Sequence, residues 1–239
     1  MNQLGRGVAL WLAAAAGGSS TSASADAAPQ RPLLLELFTS QSCSSCPPAD
    51  AVLGELAAHP DLLALEFHVD YWNGLGWHDS YSAPEFTARQ RQYAALRGFE
   101  VYTPQLVVDG HSDVIGSDRA DVATAITAAR RQARSVPSSL ALQGDSASIT
   151  VGAGAAAAEV YLLSFDSHDQ VSIRAGENAG RDMSYTNVVR TIRKVGEWHG
   201  QPLSLSEPLQ SREKGRRLAL LVQDSSGAIW AAASTGIAE

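Results

Sequence analysis

The chain has 239 residues, of which 45% are hydrophobic and 18% charged, with a formal net charge of −7 at pH 7. This length can bury one large hydrophobic core or two modest ones, and it favours two. The acidic balance argues against nucleic acid or an anionic membrane surface as a partner, since both would need a basic patch.

The first 27 residues are typical of a secretory signal, with a disordered Ala/Ser-rich tail as the alternative. Arg6 stands in a short polar start, GVALWLAAAAG is an apolar run, and ASADA offers small residues before a cut after Ala25 or Ala27. The apolar run is too short to span a bilayer. We therefore expect a signal peptide over residues 1–27 and a mature protein in the periplasm or outside the cell, where disulfides persist.

A strand, a helix and a second strand are predicted next. The apolar run RPLLLELFTS, residues 31–40, is typical of a strand buried on both faces. ADAVLGELAAH, residues 49–59, spaces its apolar side chains for one helix face, and LLALEFHVDYW, residues 62–72, is a second strand. A strand, helix and strand in this order favour parallel pairing with a right-handed crossover.

The following elements are a helix, a hairpin and a third helix. Residues 85–98 have high helix propensity and end at a glycine. Residues 101–116 contain two β-branched runs joined across Asp109-Gly110, a dipeptide that accepts the positive φ of a tight turn. Residues 117–133 predict a helix with Ser117 as its N-cap.

Beyond Ser135 the chain changes to short runs of alternating apolar and polar residues separated by Gly, Asp, Ser and Pro. This pattern predicts an antiparallel β-sandwich. We place the boundary near Val136-Pro137, so that residues 28–135 form one domain and residues 136–239 a smaller one.

Both cysteines, Cys43 and Cys46, lie in FTSQSCSSCPPAD, between the first strand and the first helix. This spacing fits zinc ligation, an inert local disulfide or a reversible one. Zinc usually needs four ligands, and the chain has no second cysteine pair. A staple closing so short a loop would stabilise little. Free N–H groups and the dipole at a helix start stabilise a thiolate, which favours Cys43 as nucleophile and Cys46 as resolving thiol.

The stretch VYTPQLVVDG places Thr103 and Pro104 at the start of a predicted strand. A proline there breaks the strand ladder unless the site is an edge or a bulge, or the bond is cis. In thioredoxin-like folds a cis-proline at this place lies against the two-cysteine turn, and the preceding residue pairs with the substrate backbone. We therefore predict a cis-Pro104 that presents the substrate together with Thr103.

Several ordered motifs resemble known families. Residues 33–134 resemble a thioredoxin-fold domain, and ELFTSQSCSSCPPAD, FHVDYWNGLGW, RQRQYA, VYTPQLVVDG and GENAGRDMSYTNVVR together resemble the secreted proteins grouped as domain of unknown function 1223. The resemblance implies an α/β thioredoxin-like domain, a central mixed sheet flanked by helices, followed by the smaller sandwich-like domain. It implies no established activity.

TPQLVVDG followed by IGSD is similar to the Thr-x-Pro and Gly-Gly-x-Asp stretches of glutaredoxins. That similarity implies Thr103, Gly116, Ser117 and Asp118 as contacts for a thiol ligand such as glutathione. The chain departs from the glutaredoxin pattern in two places, because serines fill the cysteine pair and Ile115 stands where the first glycine would be.

Two further sites have charged groups near the predicted cysteine site. Glu36 interrupts an apolar strand, and a buried carboxylate beneath a disulfide can exchange a proton with Cys46; the alternative is a structural pair. His68 and Asp70 share one face at the end of the second strand. They would form a hydrogen-bonded pair that tunes Cys43, or bind copper or zinc with a thiolate, or be an ordinary satisfied strand end.

Two groups of residues are candidates for substrate binding. Tyr71, Trp72 and Trp77 would line a groove beside the cysteines or cap the core. Glu177, Asn178 and Arg181 surround a Gly-rich turn that would either fold over the cysteine face and restrict which thiol enters, or form a solvated hairpin.

Together these observations favour a secreted or periplasmic thiol–disulfide oxidoreductase that needs no organic cofactor or metal, since the cysteine pair is the redox centre. Its partner would be a protein or small-molecule thiol or disulfide. The alternatives are a non-catalytic module in which Cys43, Cys46 and His68 hold copper or a thiol ligand, and a thioredoxin-fold interaction scaffold. The direction of electron flow and the oligomeric state stay open.

Overall fold

The computed structural model describes Met1 and residues 31–236. Beyond Met1, the predicted signal peptide lies outside the described residues. Within residues 31–236, no helix is long and apolar enough to cross a membrane.

The described part of the chain contains eleven strands and three helices. In chain order they are β1 (Leu33–Thr39), α1 (Pro47–Leu56), β2 (Leu62–His68), α2 (Pro84–Arg97), β3 (Gln105–Val108), β4 (Ser112–Ile115), α3 (Arg119–Gln132), β5 (Ser138–Gln143), β6 (Ser146–Val151), β7 (Ala158–Ser172), β8 (Asp182–Trp198), β9 (Leu203–Pro208), β10 (Arg217–Asp224) and β11 (Ile229–Ser234).

The predicted fold class, a helix-flanked thioredoxin-like domain followed by a separate β-sandwich, is wrong. The structure has one eight-stranded mixed sheet in the order β11-β10-β7-β8-β2-β1-β3-β4, and a three-stranded sheet in the order β5-β6-β9. The large sheet takes four strands from each side of Val136. The placement of domain boundaries along the chain stays a prediction.

The two halves of the chain share one sheet because one edge of β2 needs a partner strand. Alternating polarity predicts strands, but it does not say which edges they pair with. β2 is buried along its whole length, and β8 joins it in parallel at Glu66↔Val188. The side chain of Asn187 adds a bond of 2.8 Å to the carbonyl of Ala64. An edge that would otherwise expose unpaired backbone groups is thereby covered by the second half of the chain.

The two faces of β1 are buried against different helices. Leu35 and Leu37 pack in a cluster with α1 and α3, whereas Leu34 and Phe38 pack in a second cluster with α2. Successive side chains of a strand point to opposite faces, so Thr39 lies on the α1 face and Glu36 on the α2 face. A fully buried leucine contributes roughly 1.5–3 kcal/mol relative to an exposed one, so both faces stabilise this strand.

A third cluster fills the space between the large sheet and the three-stranded sheet, with Val160, Leu162 and Leu220 against Ile149 and Val151. A fourth, smaller cluster joins the β7–β8 hairpin to the loop after β2 through residues such as Met183, Tyr185 and Trp77. The second half of the chain therefore reaches the carboxyl ends of β1 and β2. These ends lie side by side because the two strands run parallel.

Candidate functional site

Cys43 and Cys46 form a disulfide with an S–S length of 2.14 Å. Cys43 lies in the turn that follows β1, and Cys46 is the N-cap residue of α1. Both cysteines are buried, with exposures of 1% and 0%, whereas Ser44 and Ser45 between them are exposed. The turn is at the surface, but its sulfurs are covered.

The start of α1 offers a thiolate fewer donors than the sequence suggested. Pro47 and Pro48 have no N–H, and the next two N–H groups, of Ala49 and Asp50, donate to the carbonyl of Cys46 at 2.8 and 3.1 Å. The helix dipole remains, but its free N–H groups are largely absent. The Ser45 hydroxyl, 3.4 Å from Sγ of Cys43, is a polar partner for that sulfur.

Asp50 lies one helical turn after Cys46 and is almost completely buried. Positions four apart share a helix face, so its side chain lies on the same face of α1 as Cys46. The hydroxyl of Thr39 donates to Oδ1 at 2.7 Å, and Oδ2 finds no hydrogen-bond partner within the described chain. Burial raises the pKa of Asp50 to about 7, although the Thr39 hydroxyl and the nearby His68 lower it in part. This carboxyl can therefore gain or lose a proton near neutral pH.

His68 stands at the end of β2, opposite Thr39. Its Nδ1 is 2.8 Å from Oδ2 of Asp79, and both side chains are fully buried. Asp79 also accepts the N–H groups of Gln41 and Tyr81. Burial alone would raise the pKa of Asp79, but the charge and hydrogen bond of His68 outweigh burial and leave that pKa lowered. The sequence-predicted partner, Asp70, instead accepts from Thr87 Oγ1 at 2.5 Å.

Glu66 lies two residues before His68, on the same face of β2. Its Oε2 accepts the N–H of Thr186 in β8 at 2.9 Å, and Oε1 has no partner among residues 31–236. Burial, followed by the nearby Asp50, raises the pKa of Glu66 well above its ordinary value. The Nε2 atom of His68 is likewise unpartnered there.

Asp50, Glu66, His68 and Asp79 form what we call the buried polar cluster. Sequence reasoning found only His68. Asp50 was detectable, because an acid four residues after Cys46 in a predicted helix must share its face. Glu66 interrupts the apolar run LLALEFH as Glu36 interrupts its own strand. No group of three or more His, Cys, Asp or Glu side chains in the described residues is arranged to hold a metal ion.

Glu36 lies on the other face of β1, away from α1. Its Oε1 accepts from Nε of Arg89 at 2.5 Å, and its Oε2 accepts from Nη2 of Arg89 at 3.1 Å and from the hydroxyl of Tyr93. Arg89 is itself buried and lies over the ring of Tyr93. The structure thus places this acid in a fully partnered ion pair under α2 and not with the cysteines.

The Thr103-Pro104 bond is cis, which confirms the predicted geometry. Pairing of Phe38 with Gln105 puts Pro104 beside the end of β1, and Gly116 donates to the Pro104 carbonyl at 3.0 Å. A Cβ on Gly116 would lie 2.7 Å from Cδ1 of Leu37. Glycine is therefore needed here for close packing against β1.

Asp118 has a structural partner of its own. Its Oδ1 accepts the N–H groups of Ala120 and Asp121 at 3.0 and 3.1 Å, so Asp118, and not the predicted Ser117, is the N-cap of α3. The hydrogen-bonding needs of this helix end explain the position of Asp118. Binding of a thiol ligand by Gly116, Ser117 and Asp118 stays a prediction.

Two tryptophans flank the cysteine turn. Nε1 of Trp72 donates to Oγ1 of Thr103 at 2.9 Å, and Nε1 of Trp77 donates to Oε1 of Gln41 at 2.8 Å. Tyr71 is half-buried, and burial raises its pKa. The aromatic residues thus hold the loops on both sides of the turn, one at the residue before Pro104 and one just before the cysteines.

The Gly-rich turn between β7 and β8 reaches the cysteines. Nδ2 of Asn178 donates to the carbonyl of Gln41 at 3.0 Å and to that of Cys43 at 2.9 Å. Arg181 donates to Oδ1 of Asn178 at 3.0 Å. Glu177 is exposed. Of the three residues predicted in this turn, Asn178 contacts the cysteine loop directly and Arg181 supports it.

Comparison with known proteins gives one family and two structures. A family model described as a protein of unknown function (DUF1223) matches residues 34–223. The crystal structure of protein AGR_C_4864 from Agrobacterium tumefaciens is similar, with 35% identity and a TM-score of 0.77, over 89% of this chain and 100% of that one. HBP35 of Porphyromonas gingivalis shares the fold at 13% identity and a TM-score of 0.59, over 86% of this chain and 75% of that one. No curated protein matches.

Proposed function

The chain belongs to the DUF1223 family, and we propose that it is an exported thiol–disulfide oxidoreductase whose redox centre is the Cys43–Cys46 disulfide. The observation that carries the proposal is Asp50, a buried acid one helical turn from Cys46, with a pKa raised to about 7 and one oxygen that has no partner among the described residues. A disulfide persists in an oxidising compartment, which agrees with export.

The need for such an acid follows from the exchange reaction. A substrate thiolate attacks Sγ of Cys43 and forms a mixed disulfide, while the Cys43–Cys46 bond breaks and its electron pair goes to Sγ of Cys46. Cys46 is fully buried, and a thiolate is costly in that place unless it takes a proton. Protonated Asp50 supplies this proton.

The second step of the reaction releases the substrate as a disulfide. A second substrate thiolate attacks the substrate sulfur of the mixed disulfide, and the electron pair goes to Sγ of Cys43, which then takes a proton from solvent. Two substrate thiols have become one disulfide, and the protein disulfide has become two thiols. Run in reverse, Asp50 accepts the proton of Cys46, and this thiol resolves the mixed species.

A second candidate is favoured by the burial of both cysteines. In that case the disulfide is an inert staple in an interaction scaffold. Closing a loop across only two intervening residues constrains the unfolded chain little, so such a staple contributes little stability. A buried acid whose pKa is raised to about 7 also favours a functional site over a scaffold.

The test is to trap the mixed disulfide. The Cys46→Ala variant lacks the resolving thiol, and we expect it to accumulate covalent adducts with cellular thiol proteins that a reductant removes. The Cys43→Ala variant is the matched control and should form none, because in the proposed reaction Cys43 is the sulfur that bonds to the substrate. Equal absence of adducts from both variants contradicts the proposal.

The reduction potential gives an independent answer. In a dithiothreitol titration, a potential near about −270 mV indicates a reductant and one near about −120 mV an oxidant. A potential below roughly −300 mV is typical of a structural disulfide and would support the scaffold.

A further inference from the structure

The loop that carries the disulfide is contacted by a segment that is distant in sequence. Cys43 and Cys46 are buried, although the serines between them are exposed. Access to the sulfurs is therefore limited by what packs beside the turn and not by the turn itself. The part of the second half that contacts this loop is the tip of the β7–β8 hairpin, residues 173–181, which we call the cover segment.

Asn178 is the contact that joins the cover segment to the cysteine loop. Its side chain is completely buried, and its single amide group satisfies two backbone acceptors, the carbonyls of Gln41 and Cys43. Arg181 holds the amide oxygen, so the NH2 group points toward the cysteine loop. An asparagine whose amide nitrogen and amide oxygen are both hydrogen-bonded in this way makes a specific contact and does more than fill space.

The segment is built to close on itself. The N–H of Ile173 donates to the carbonyl of Arg181 at 2.9 Å across its base, and the N–H of Gly180 donates to the carbonyl of Ile173 at 2.8 Å. Gly176 has a φ of +76° and lies against Gly76, where an added Cβ would be 3.3 Å from the Cα of Gly176. The contact with the loop after β2 is thus close backbone packing, whereas Asn178 supplies directional bonds.

We propose that Asn178 is a latch that holds the cover segment closed over the disulfide, and that a thiol reaches Cys43 only after this latch opens. The latch regulates the same site as the proposed oxidoreductase activity, and its physiological use rests on that activity. Local opening of a hairpin tip costs less free energy than global unfolding, so it offers a route to a buried disulfide.

The experiment measures the rate at which dithiothreitol reduces the disulfide of the oxidised full chain, with acid quenching, alkylation and mass spectrometry. Asn178→Ala removes two hydrogen bonds from the closed state and should speed reduction roughly tenfold. Arg181→Ala, which only frees the amide to rotate, should speed it a few-fold. Arg174→Ala is the matched control, since this residue of the cover segment is exposed, and should leave the rate unchanged.

Two results would overturn the latch. One is a wild-type reduction rate in the folded Asn178→Ala variant. The other is a reduction rate that rises with urea as steeply in that variant as global unfolding does, because access would then come from loss of the whole fold. A shallow urea dependence together with the faster rate supports local opening.

Failure of the latch and failure of the proposed function are distinguishable. Reduction by dithiothreitol is stoichiometric, so the assay reports access to the disulfide even if the protein turns over no substrate. Conversely, covalent adducts of Cys46→Ala support redox activity even if Asn178→Ala leaves the rate of reduction unchanged.

Discussion

Two buried carboxyl groups, Glu36 and Asp50, lie on opposite faces of the sheet and have opposite surroundings. Both oxygens of Glu36 are bonded, to a permanent cation and a phenol. Asp50 has one hydroxyl bond, one oxygen without a partner in residues 31–236, and both His68 and Asp79 nearby. Both are almost completely buried, so burial does not distinguish them.

The difference lies in what each site does with a proton. A carboxylate bonded to arginine fixes its surroundings, whereas burial of Asp50 outweighs its bond from Thr39 and the nearby His68 and keeps it protonated until near neutral pH. Partner count, more than burial, therefore separates a structural acid from one available for proton transfer.

The largest expected effect comes from breaking the structural acid. Glu36→Gln leaves the charge of Arg89 buried and unpaired, and we expect a loss of about 3–5 kcal/mol in the free energy of unfolding, measured in urea. Folded protein should still react with dithiothreitol at the wild-type rate. Glu55→Gln, in an exposed pair with Arg119, should change stability little. A slower thiol reaction in folded Glu36→Gln would place this acid in the redox site after all.

Replacing Asp50 should have the opposite effect and raise the free energy of unfolding. The folded state holds the proton of Asp50 up to a pKa of about 7, whereas the ordinary value is 3.8, so folding loses free energy as pH rises between these values. Asn keeps the bond from Thr39 and removes this loss. We expect Asp50→Asn to be more stable than wild type at pH 8, by on the order of 3 kcal/mol, and nearly equal at pH 4.

Urea unfolding at both pH values checks this second prediction. Thr39→Val is the companion variant, because it removes the only hydrogen bond to the Asp50 carboxyl within the described chain. Its effect should be a further rise in the pKa of Asp50. A stability difference between Asp50→Asn and wild type that stays constant from pH 4 to pH 8 would contradict a protonated Asp50.

The same substitution should slow the chemistry while it stabilises the fold. Asp50→Asn cannot donate the proton that Cys46 needs, and loss of a general acid costs at least about tenfold in rate. The wild-type rate of disulfide reduction, corrected for the thiolate fraction of the reagent, should fall above pH 7, and the variant should lose that fall. Matching pH profiles for the two proteins would remove Asp50 from the mechanism.

The smallest expected effect concerns an exposed acid, Asp118. Asp118→Ala removes the cap of α3 and should cost about 1 kcal/mol. Thermal unfolding measures this loss. If Asp118 is only a cap, the reaction of folded protein with glutathione stays at the wild-type rate; a slower reaction with glutathione, but not with dithiothreitol, would support the glutaredoxin-like site.

The sequence predicts local features of the site better than its long-range ones. The cysteine pair, the cis peptide bond at Pro104 and the start of a helix after the cysteines depend on neighbouring residues, and all three are present. The join between β2 and β8 pairs Glu66 with Val188, and the Glu66 side chain also accepts from Thr186, 120 residues further along the chain. Alternation of apolar and polar residues carries no information about which strands pair.

The sequence draws attention to Glu36 and not to Asp50 for a related reason, and proton exchange by Glu36 stays a prediction. Glu36 stands out because its strand is otherwise apolar. A strand has two faces, however, and its sequence does not indicate which helix covers each face. Asp50 is inconspicuous in PPAD because acids are common in the first turn of helices. Only the packing of α1 on the face that carries Thr39 makes it a buried group.

The contact between β2 and β8 makes residues that lie far apart in the chain depend on one another. Thr186 and Val188 hold Glu66 in place, and the same hairpin carries Asn178 to the cysteines. An insertion of one residue in β8 would flip its side chains and move both contacts at once. Length changes between residues 178 and 188 should therefore be rare in natural relatives that keep both cysteines, whereas the exposed loop at Gly215 is free to vary.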